Sequence, residues 1–109
     1  MKQIRLYQIP QGKAPYLVWL NKIKDKTTKA RIIRRIDRLY FGNEGDFRSV
    51  GNGVYELKIP LGPGYRVYYG KYKNGFILLL GGAKNTQASD IKLAKLYWQN
   101  LQQGEYHES

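Results

Sequence analysis

Cysteine is absent from this 109-residue sequence, so the chain can form neither a disulfide nor a thiolate metal site. Histidine occurs once, as His107 near the C-terminus, which excludes a ribonuclease mechanism that needs two histidines. The eight Asp and Glu residues are scattered without a close pair, which argues against a metal-dependent nuclease or a glycosidase. We therefore expect a protein that uses neither a metal nor a cofactor.

Long apolar segments are missing as well. The longest apolar run, residues 76–80, is too short to span a bilayer, and residues 1–9 lack the apolar core of a signal peptide. Hydrophobic residues make up 42% of the chain, which is typical of a globular protein, and the length predicts one domain over residues 1–109. We expect a cytoplasmic protein with no membrane association.

Positive charge is what the sequence has in excess. It contains 19 Lys and Arg against 8 Asp and Glu, a formal net charge of +11. Residues 1–45 hold 11 basic and 3 acidic side chains, residues 46–84 hold 6 and 2, and residues 85–109 hold 2 and 3. This surplus favours a polyanionic partner, such as nucleic acid or an acidic protein, although it could also serve only solubility.

Hydrophobic periodicity predicts a small α+β domain with the order β-αα-β-β-β-β-α and a mainly antiparallel sheet of four to five strands. A helical hairpin lies within residues 14–40; Asp25 or Thr27 caps its second helix, and Gly42 follows it. Thr86 begins a last helix that ends at Gly104, which leaves residues 104–109 as a frayed tail. The predicted strands cover residues 4–9, 46–50, 54–60, 65–72 and 76–83.

Strand alternation makes a specific prediction for the hairpin over residues 54–72. An odd-length loop, either three residues centred on Gly62 or five centred on Pro63, places the even-numbered side chains on one face. Lys58 and Arg66 are then neighbours, an arrangement that suits an anion between them. The alternative is an ordinary solvated face on which a carboxylate pairs with a cation. The even-numbered residues concerned are Glu56, Lys58, Arg66 and Tyr68.

Cations and phenols are the chemical groups that this part of the chain offers. RNA supplies its own nucleophile, because a 2′-hydroxyl can attack the adjacent phosphate and leave a cyclic phosphate and a 5′-hydroxyl. Arginine suits stabilisation of the phosphate charge, lysine could move a proton, and tyrosine can stack on a base. The candidate residues are Arg48, Lys58, Arg66, Lys84, Tyr65 and Tyr68.

Four segments in order resemble the RelE/ParE toxin superfamily, and within it the HigB-like "addiction module killer" group of type II toxin–antitoxin systems. The resemblance covers nearly the whole chain and implies a toxin that cleaves mRNA on the ribosome. It also implies a cognate antitoxin, expected to be a helix-turn-helix DNA-binding protein that forms a hetero-oligomer with the toxin. The segments are GVYELKI (53–59), GPGYRVYY (62–69), LLLGGAKNTQASDI (78–91) and AKLYW (94–98).

The resemblance also implies roles for individual residues. Arg66 matches the arginine that RelE-like toxins use on the scissile phosphate, and Lys58 matches a sheet lysine that orients RNA or serves as a base. Lys84 falls where a cation precedes the last helix. The chain departs from the family at Glu56, where a second lysine is usual, and near Ile91, where a tyrosine is usual. Glu56 is then either an acid/base partner or a salt-bridge partner.

Further RNA-binding candidates lie outside the hairpin. The arginines of the second predicted helix form either a solvated face or a docking surface for ribosomal RNA or an acidic antitoxin segment. Gln87 and Asp90 either complement the dipole of the last helix or order Lys84. The full RNA-binding set is Arg48, Tyr65, Tyr68, Glu56, Arg31, Arg34, Arg35 and Arg38.

Two other functions remain open at this stage. A ParE-like toxin would inhibit a protein target such as DNA gyrase without catalytic groups of its own. A nucleic-acid-binding domain without toxicity would use the same basic surface. The broad positive charge favours the ribosome-dependent endoribonuclease, because ribosome binding needs an extended basic surface.

Overall fold

The predicted α+β architecture is confirmed. The structure, a computed structural model, describes the backbone of residues 1–108 and the side chains of residues 1–104. Eight main elements follow one another, with the 3₁₀ turn Lys84–Thr86 before the last helix. They are β1 (Gln3–Leu6), α1 (Pro15–Lys22), α2 (Lys26–Tyr40), β2 (Phe47–Gly51), β3 (Val54–Ile59), β4 (Tyr65–Tyr72), β5 (Gly75–Ala83) and α3 (Gln87–Glu108).

The strands form one five-stranded sheet in the order β1-β5-β4-β3-β2. β1 pairs with β5 in parallel, and the other three pairings are antiparallel. β5 is therefore internal, as its apolar sequence predicts, because a strand covered on both faces cannot alternate with polar residues. β2 is an edge strand.

Helices cover both faces of the sheet. On the face covered by α1 and α2, here the α1–α2 face, Leu20 and Ile36 pack with Leu57 and Tyr69. On the opposite face, here the α3 face, Trp98 packs with side chains from β3, β4 and β5. The even-numbered hairpin residues point to the α3 face, so that face is partly buried rather than solvated. The sheet residues of the α3 cluster are Val54, Tyr68, Ile77, Leu79 and Leu80.

A glycine permits the close approach of a tryptophan on each face. A Cβ atom on Gly81 would lie 2.1 Å from Cε3 of Trp19, and one on Gly70 would lie 2.2 Å from Cζ3 of Trp98. Both distances are far below van der Waals contact, so only glycine allows each indole to lie against the backbone.

Local signals explain where the helices begin and end. Asp25 is the N-cap of α2 and accepts a hydrogen bond from the backbone N–H of Thr28 at 3.2 Å. Gly42, with φ +85°, follows α2, and its N–H donates to the carbonyl of Leu39 at 2.7 Å. The prediction that α3 ends at Gly104 is wrong, because the backbone is helical to Glu108 and Gly104 lacks the left-handed conformation of a helix stop. Ser109 lies outside the described residues.

We expect the variant Asp25→Ala to lower the melting temperature by about 4 °C, because it leaves N-terminal amides of α2 without their acceptor. Thermal unfolding followed by circular dichroism measures this shift. The matched control is Asp25→Asn, which keeps a capping oxygen and should melt close to the wild type. Equal melting temperatures for the alanine variant and the wild type would contradict this role of the cap.

The arginine stripe of α2 is not uniformly solvated, which corrects the sequence prediction. Arg35 is only 8% exposed, and its Nη2 donates to the backbone carbonyl of Glu44. Burial and then the charge of Arg38 lower the pKa of Arg35. Ile33 and Tyr40 of α2 are 43% and 41% exposed, so the apolar side chains of this helix are not all buried. In the described part of the chain, no helix is long and apolar enough to cross a membrane.

Candidate functional site

The hairpin of β3 and β4 has the odd loop that alternation predicts. Ile59 pairs with Tyr65, so the loop is the five residues 60–64 and its centre is Gly62. The prediction of a loop centred on Gly62 therefore has the correct register, although it gave the loop three residues instead of five. The alternative centred on Pro63 has the correct length but the wrong register. Lys58 consequently lies directly opposite Arg66, and Glu56 lies opposite Tyr68. The predicted shared face is therefore confirmed.

A cavity of about 330 Å³ opens on the α3 face, where β2, β3, β4 and the start of α3 meet. We call it the cationic cavity. It brings together four of the predicted site residues, Arg48, Glu56, Lys58 and Arg66, which come from three neighbouring strands. Its other lining residues are Asp46, Phe47 and Gln87.

Glu56 is built into the cavity and is only 3% exposed. Its Oε1 accepts from Nε of Arg48 at 3.0 Å, and its Oε2 accepts from Nε2 of Gln87 at 2.8 Å. Nε of Arg66 lies 3.7 Å from the same Oε2. Burial by itself would raise the pKa of Glu56, but the hydrogen bonds from Arg48 and Gln87 and the charges of both arginines outweigh it and lower the pKa. Glu56 is therefore an ionised salt-bridge partner near neutral pH.

This pairing predicts a dependence of stability on pH. The pKa of Glu56 in the folded protein lies below its ordinary value of 4.5, so its contribution is present above that value. It is lost as the pH falls through the lower pKa of the folded state. We expect the free energy of unfolding to decrease below about pH 4.5, and to decrease less steeply in Glu56→Gln. Urea unfolding at several pH values measures both slopes, and parallel slopes would contradict the prediction.

Arg66 and Lys58 offer two different kinds of cation to the cavity. Arg66 is 6% exposed, and its Nη1 donates to the backbone carbonyl of Gly64 at 2.6 Å, so its guanidinium is fixed in place. Lys58 is exposed and, within the described residues, forms no ion pair. A fixed guanidinium beside an exposed ammonium can bind two oxygens of one phosphate group.

Lys84 lies beside the cavity but does not line it. A Cβ atom on Gly64 would be 3.2 Å from Nη1 of Arg66 and 3.8 Å from Cβ of Lys84, so both side chains lie beside Gly64. Asp90 accepts a hydrogen bond from the hydroxyl of Thr86 at 2.6 Å and does not pair with Lys84.

The two candidate tyrosines do not line the cavity. Tyr65 lies on the α1–α2 face, where its ring packs edge-on against Trp19 at a centroid distance of 6.0 Å. Tyr68 is on the cavity side but has no exposed surface. Burial, followed by the charges of Glu56 and Asp90, raises the pKa of Tyr68. Neither ring therefore presents a face on which a base in the cavity could stack.

The α2 arginines lie on the other side of the sheet from the cavity. Arg31, Arg34 and Arg38 are exposed there, and Arg35 is buried, as described above. Of the predicted RNA-binding residues, only Arg48 and Glu56 therefore line the cavity, and none of the α2 arginines does.

Gln87 and Asp46 also line the cavity. Asp46 was not predicted at the site, and Gln87 was expected only to complement the dipole of the last helix or to order Lys84, whereas it bonds to Glu56. The sequence places Gln87 at the start of the last helix, but it does not show that this helix lies over β3 and β4. The contact of Gln87 with the buried carboxylate of Glu56 depends on how α3 packs on the sheet, and local sequence patterns do not contain that information.

A protein from Haemophilus influenzae, described as an uncharacterized protein, is 55% identical to this chain over 85 residues. The match covers 76% of this chain and 85% of the Haemophilus protein. No protein-family model and no solved structure matches the chain. The resemblance to the RelE/ParE toxins therefore stays a prediction from the sequence segments.

Proposed function

The chain belongs to the same family as this Haemophilus influenzae protein, and from its cationic cavity we propose that it is the toxin of a toxin–antitoxin module. The proposed activity is metal-independent endoribonuclease cleavage of mRNA on the ribosome. The observation that supports it best is that Lys58 lies directly opposite Arg66 on the neighbouring strand and that both residues line one cavity. The order of the RelE/ParE-like segments supports the toxin assignment.

In the proposed mechanism the RNA supplies the nucleophile and the protein supplies charge and orientation. The 2′-hydroxyl attacks the adjacent phosphorus, the bond to the 5′-oxygen breaks, and a 2′,3′-cyclic phosphate and a 5′-hydroxyl result. Arg66 stabilises the negative charge that develops on the phosphate oxygens, because its guanidinium is already fixed by Gly64 and Glu56. Lys58 and Lys84 orient the RNA backbone or relay protons.

The surrounding surface suits a ribosomal substrate. The formal net charge is +11, and Arg31, Arg34 and Arg38 of α2 are exposed. Such charges bind phosphates without reading sequence, so they could hold the protein on ribosomal RNA while the cavity engages mRNA. A protein acting on translating ribosomes works in the cytoplasm. A toxin of this kind also needs a partner that blocks its activity, and we propose that this partner is the cognate antitoxin.

One observation favours a second candidate function. Glu56 pairs with both arginines of the cavity and so reduces the charge available for a transition state. The protein could then act without cleaving RNA, either as a ParE-like toxin that inhibits a protein target such as DNA gyrase or as a non-toxic nucleic-acid-binding domain. Cleavage distinguishes the two functions, because binding alone creates no new RNA ends.

Controlled expression in a bacterial host tests the proposed function. We expect growth arrest and new mRNA 5′ ends with codon periodicity, and the variant Lys58→Gln should abolish both. The matched control is Lys24→Gln, which removes an exposed lysine from the segment between α1 and α2 and should remain toxic. Arrest without new RNA ends would contradict the nuclease assignment and favour the second candidate.

A further inference from the structure

The cationic cavity carries a fixed negative charge as well as its cations. Its lining residues include three cations, Arg48, Lys58 and Arg66, and two carboxylates, Asp46 and Glu56, which gives a net charge of +1. Asp46 is exposed, but Glu56 is held within the wall through both carboxylate oxygens. A bound anion therefore meets the charge of Glu56 as a permanent part of the site.

The three cations differ in whether they form an ion pair. Glu56 lies within ion-pair distance of Arg48 and of Arg66, at 3.0 Å and 3.7 Å. Lys58 forms no such pair in the part of the chain that the structure describes, and it lies across the strand pair from Arg66. One negative charge placed between Lys58 and Arg66 would bring the net charge of the cavity to zero. A second negative charge on the same ligand would lie close to the carboxylate of Glu56.

We propose, on the basis of the function proposed above, that Glu56 is a specificity-determining residue that selects an internal phosphodiester over a terminal phosphomonoester. An internal phosphodiester carries one negative charge. A terminal phosphate carries nearly two at neutral pH, because its second pKa is about 6. Glu56 repels the second charge, since like charges at short range in a partly desolvated site cost more than they do in water. The cavity therefore prefers an intact RNA chain to a phosphorylated end.

The wild-type protein alone provides the first test. The probes are a 2′-O-methylated uridine dinucleotide, which has one uncleavable phosphodiester, and 2′-O-methyluridine 3′-monophosphate. Isothermal titration calorimetry at about pH 5 and about pH 8 compares the singly and doubly charged forms of the monoester. We expect the monoester to bind about tenfold more tightly at the lower pH, and the dinucleotide to bind equally at both.

The comparison at two pH values also depends on the charged and titratable groups that face Glu56. Arg48 on β2, Lys58 on β3 and Arg66 on β4 are cations, and Gln87 on α3 is neutral. The remaining charged or titratable neighbours are Asp46, Tyr68 and Asp90. Monoester binding that is equal at both pH values, or tighter at the higher pH, would overturn the inference.

The variant Glu56→Gln provides the second test, because it keeps the side-chain shape and removes the charge. We expect its preference for the dinucleotide over the monoester at about pH 8 to fall by about tenfold or more. The matched control is Glu44→Gln, which removes the same charge from a carboxylate bonded to Tyr69 and Lys71 on the α1–α2 face. That control should retain the wild-type preference.

The outcomes separate the inference from the proposed function. Equal changes of preference in the two glutamine variants would show an effect of overall charge and overturn the role of Glu56 alone. Failure of the wild type to bind either probe would overturn the inference alone, because cleavage on programmed ribosomes tests the proposed function separately. If Glu56→Gln does not fold, the wild-type pH comparison still decides the question.

Discussion

The variant Arg66→Lys is expected to cleave mRNA on programmed ribosomes about 10²–10³-fold more slowly than the wild type. A guanidinium presents two parallel N–H groups to the oxygens of one phosphate, whereas an ammonium is a single point charge. Lysine keeps a positive charge beside the buried Glu56, so the loss should come from the phosphate contact rather than from an unpaired carboxylate. Single-turnover cleavage measured with an end-labelled mRNA gives the rate.

The control for this experiment is Arg5→Lys, which makes the same change at an exposed arginine of β1, the edge strand at the opposite end of the sheet from β2. It should cleave at nearly the wild-type rate. Near-equal rates for wild type and Arg66→Lys, with both proteins folded by circular dichroism, would show that Arg66 does not contact the scissile phosphate.

The largest expected effect on stability is that of Gly81→Ala, at about 3 kcal/mol lower free energy of unfolding. The added methyl group would lie 2.1 Å from the ring of Trp19. The indole must therefore move out of a packed core, or the internal strand β5 must shift. Gly81 has no left-handed φ, so the cost is steric and does not come from backbone strain.

Gly104→Ala is the matched control for this substitution. Gly104 lies within α3, and among the described side chains and backbone no atom outside its local helix lies within 4 Å of an added Cβ, so alanine should stabilise the protein by about 0.5 kcal/mol. Urea unfolding followed by the fluorescence of the tryptophans compares the variants. Gly81→Ala with wild-type stability would mean that Trp19 does not pack against β5 as described.

The sequence predicts most of the architecture because its strands alternate clearly and its turns contain recognisable residues. The apolar run of β5 predicts an internal strand, and the phase of residues 54–72 predicts that Lys58 faces Arg66. Both inferences depend only on local periodicity and on chain connectivity, which the sequence contains directly.

What the sequence could not predict is the packing on each face. Alternation places Glu56 with Arg66, but it does not show that α3 covers that face, that Gln87 reaches Glu56, or that Tyr68 is fully buried. Arg35 was misplaced for a related reason: helical periodicity gives the direction of a side chain but not the loop that folds over it. The carbonyl of Glu44 comes from such a loop.

Glu56 illustrates how packing changes an interpretation. From the sequence it could be an acid/base partner or a salt-bridge partner, since both need only a nearby cation. Its two engaged oxygens and its lowered pKa favour the salt bridge, because an ionised carboxylate has no proton to donate and a lowered pKa makes it a weak proton acceptor near neutral pH. A proton transfer in the proposed mechanism therefore has to involve other groups.

The most direct test is the chemistry of the RNA ends made by the purified protein on ribosomes programmed with a defined mRNA. The proposed function predicts cleavage that requires the ribosome and leaves a 2′,3′-cyclic phosphate and a 5′-hydroxyl. A single 2′-deoxy substitution at the cleaved nucleotide should abolish the cut. Intact mRNA, or products with a 5′-phosphate, would contradict it.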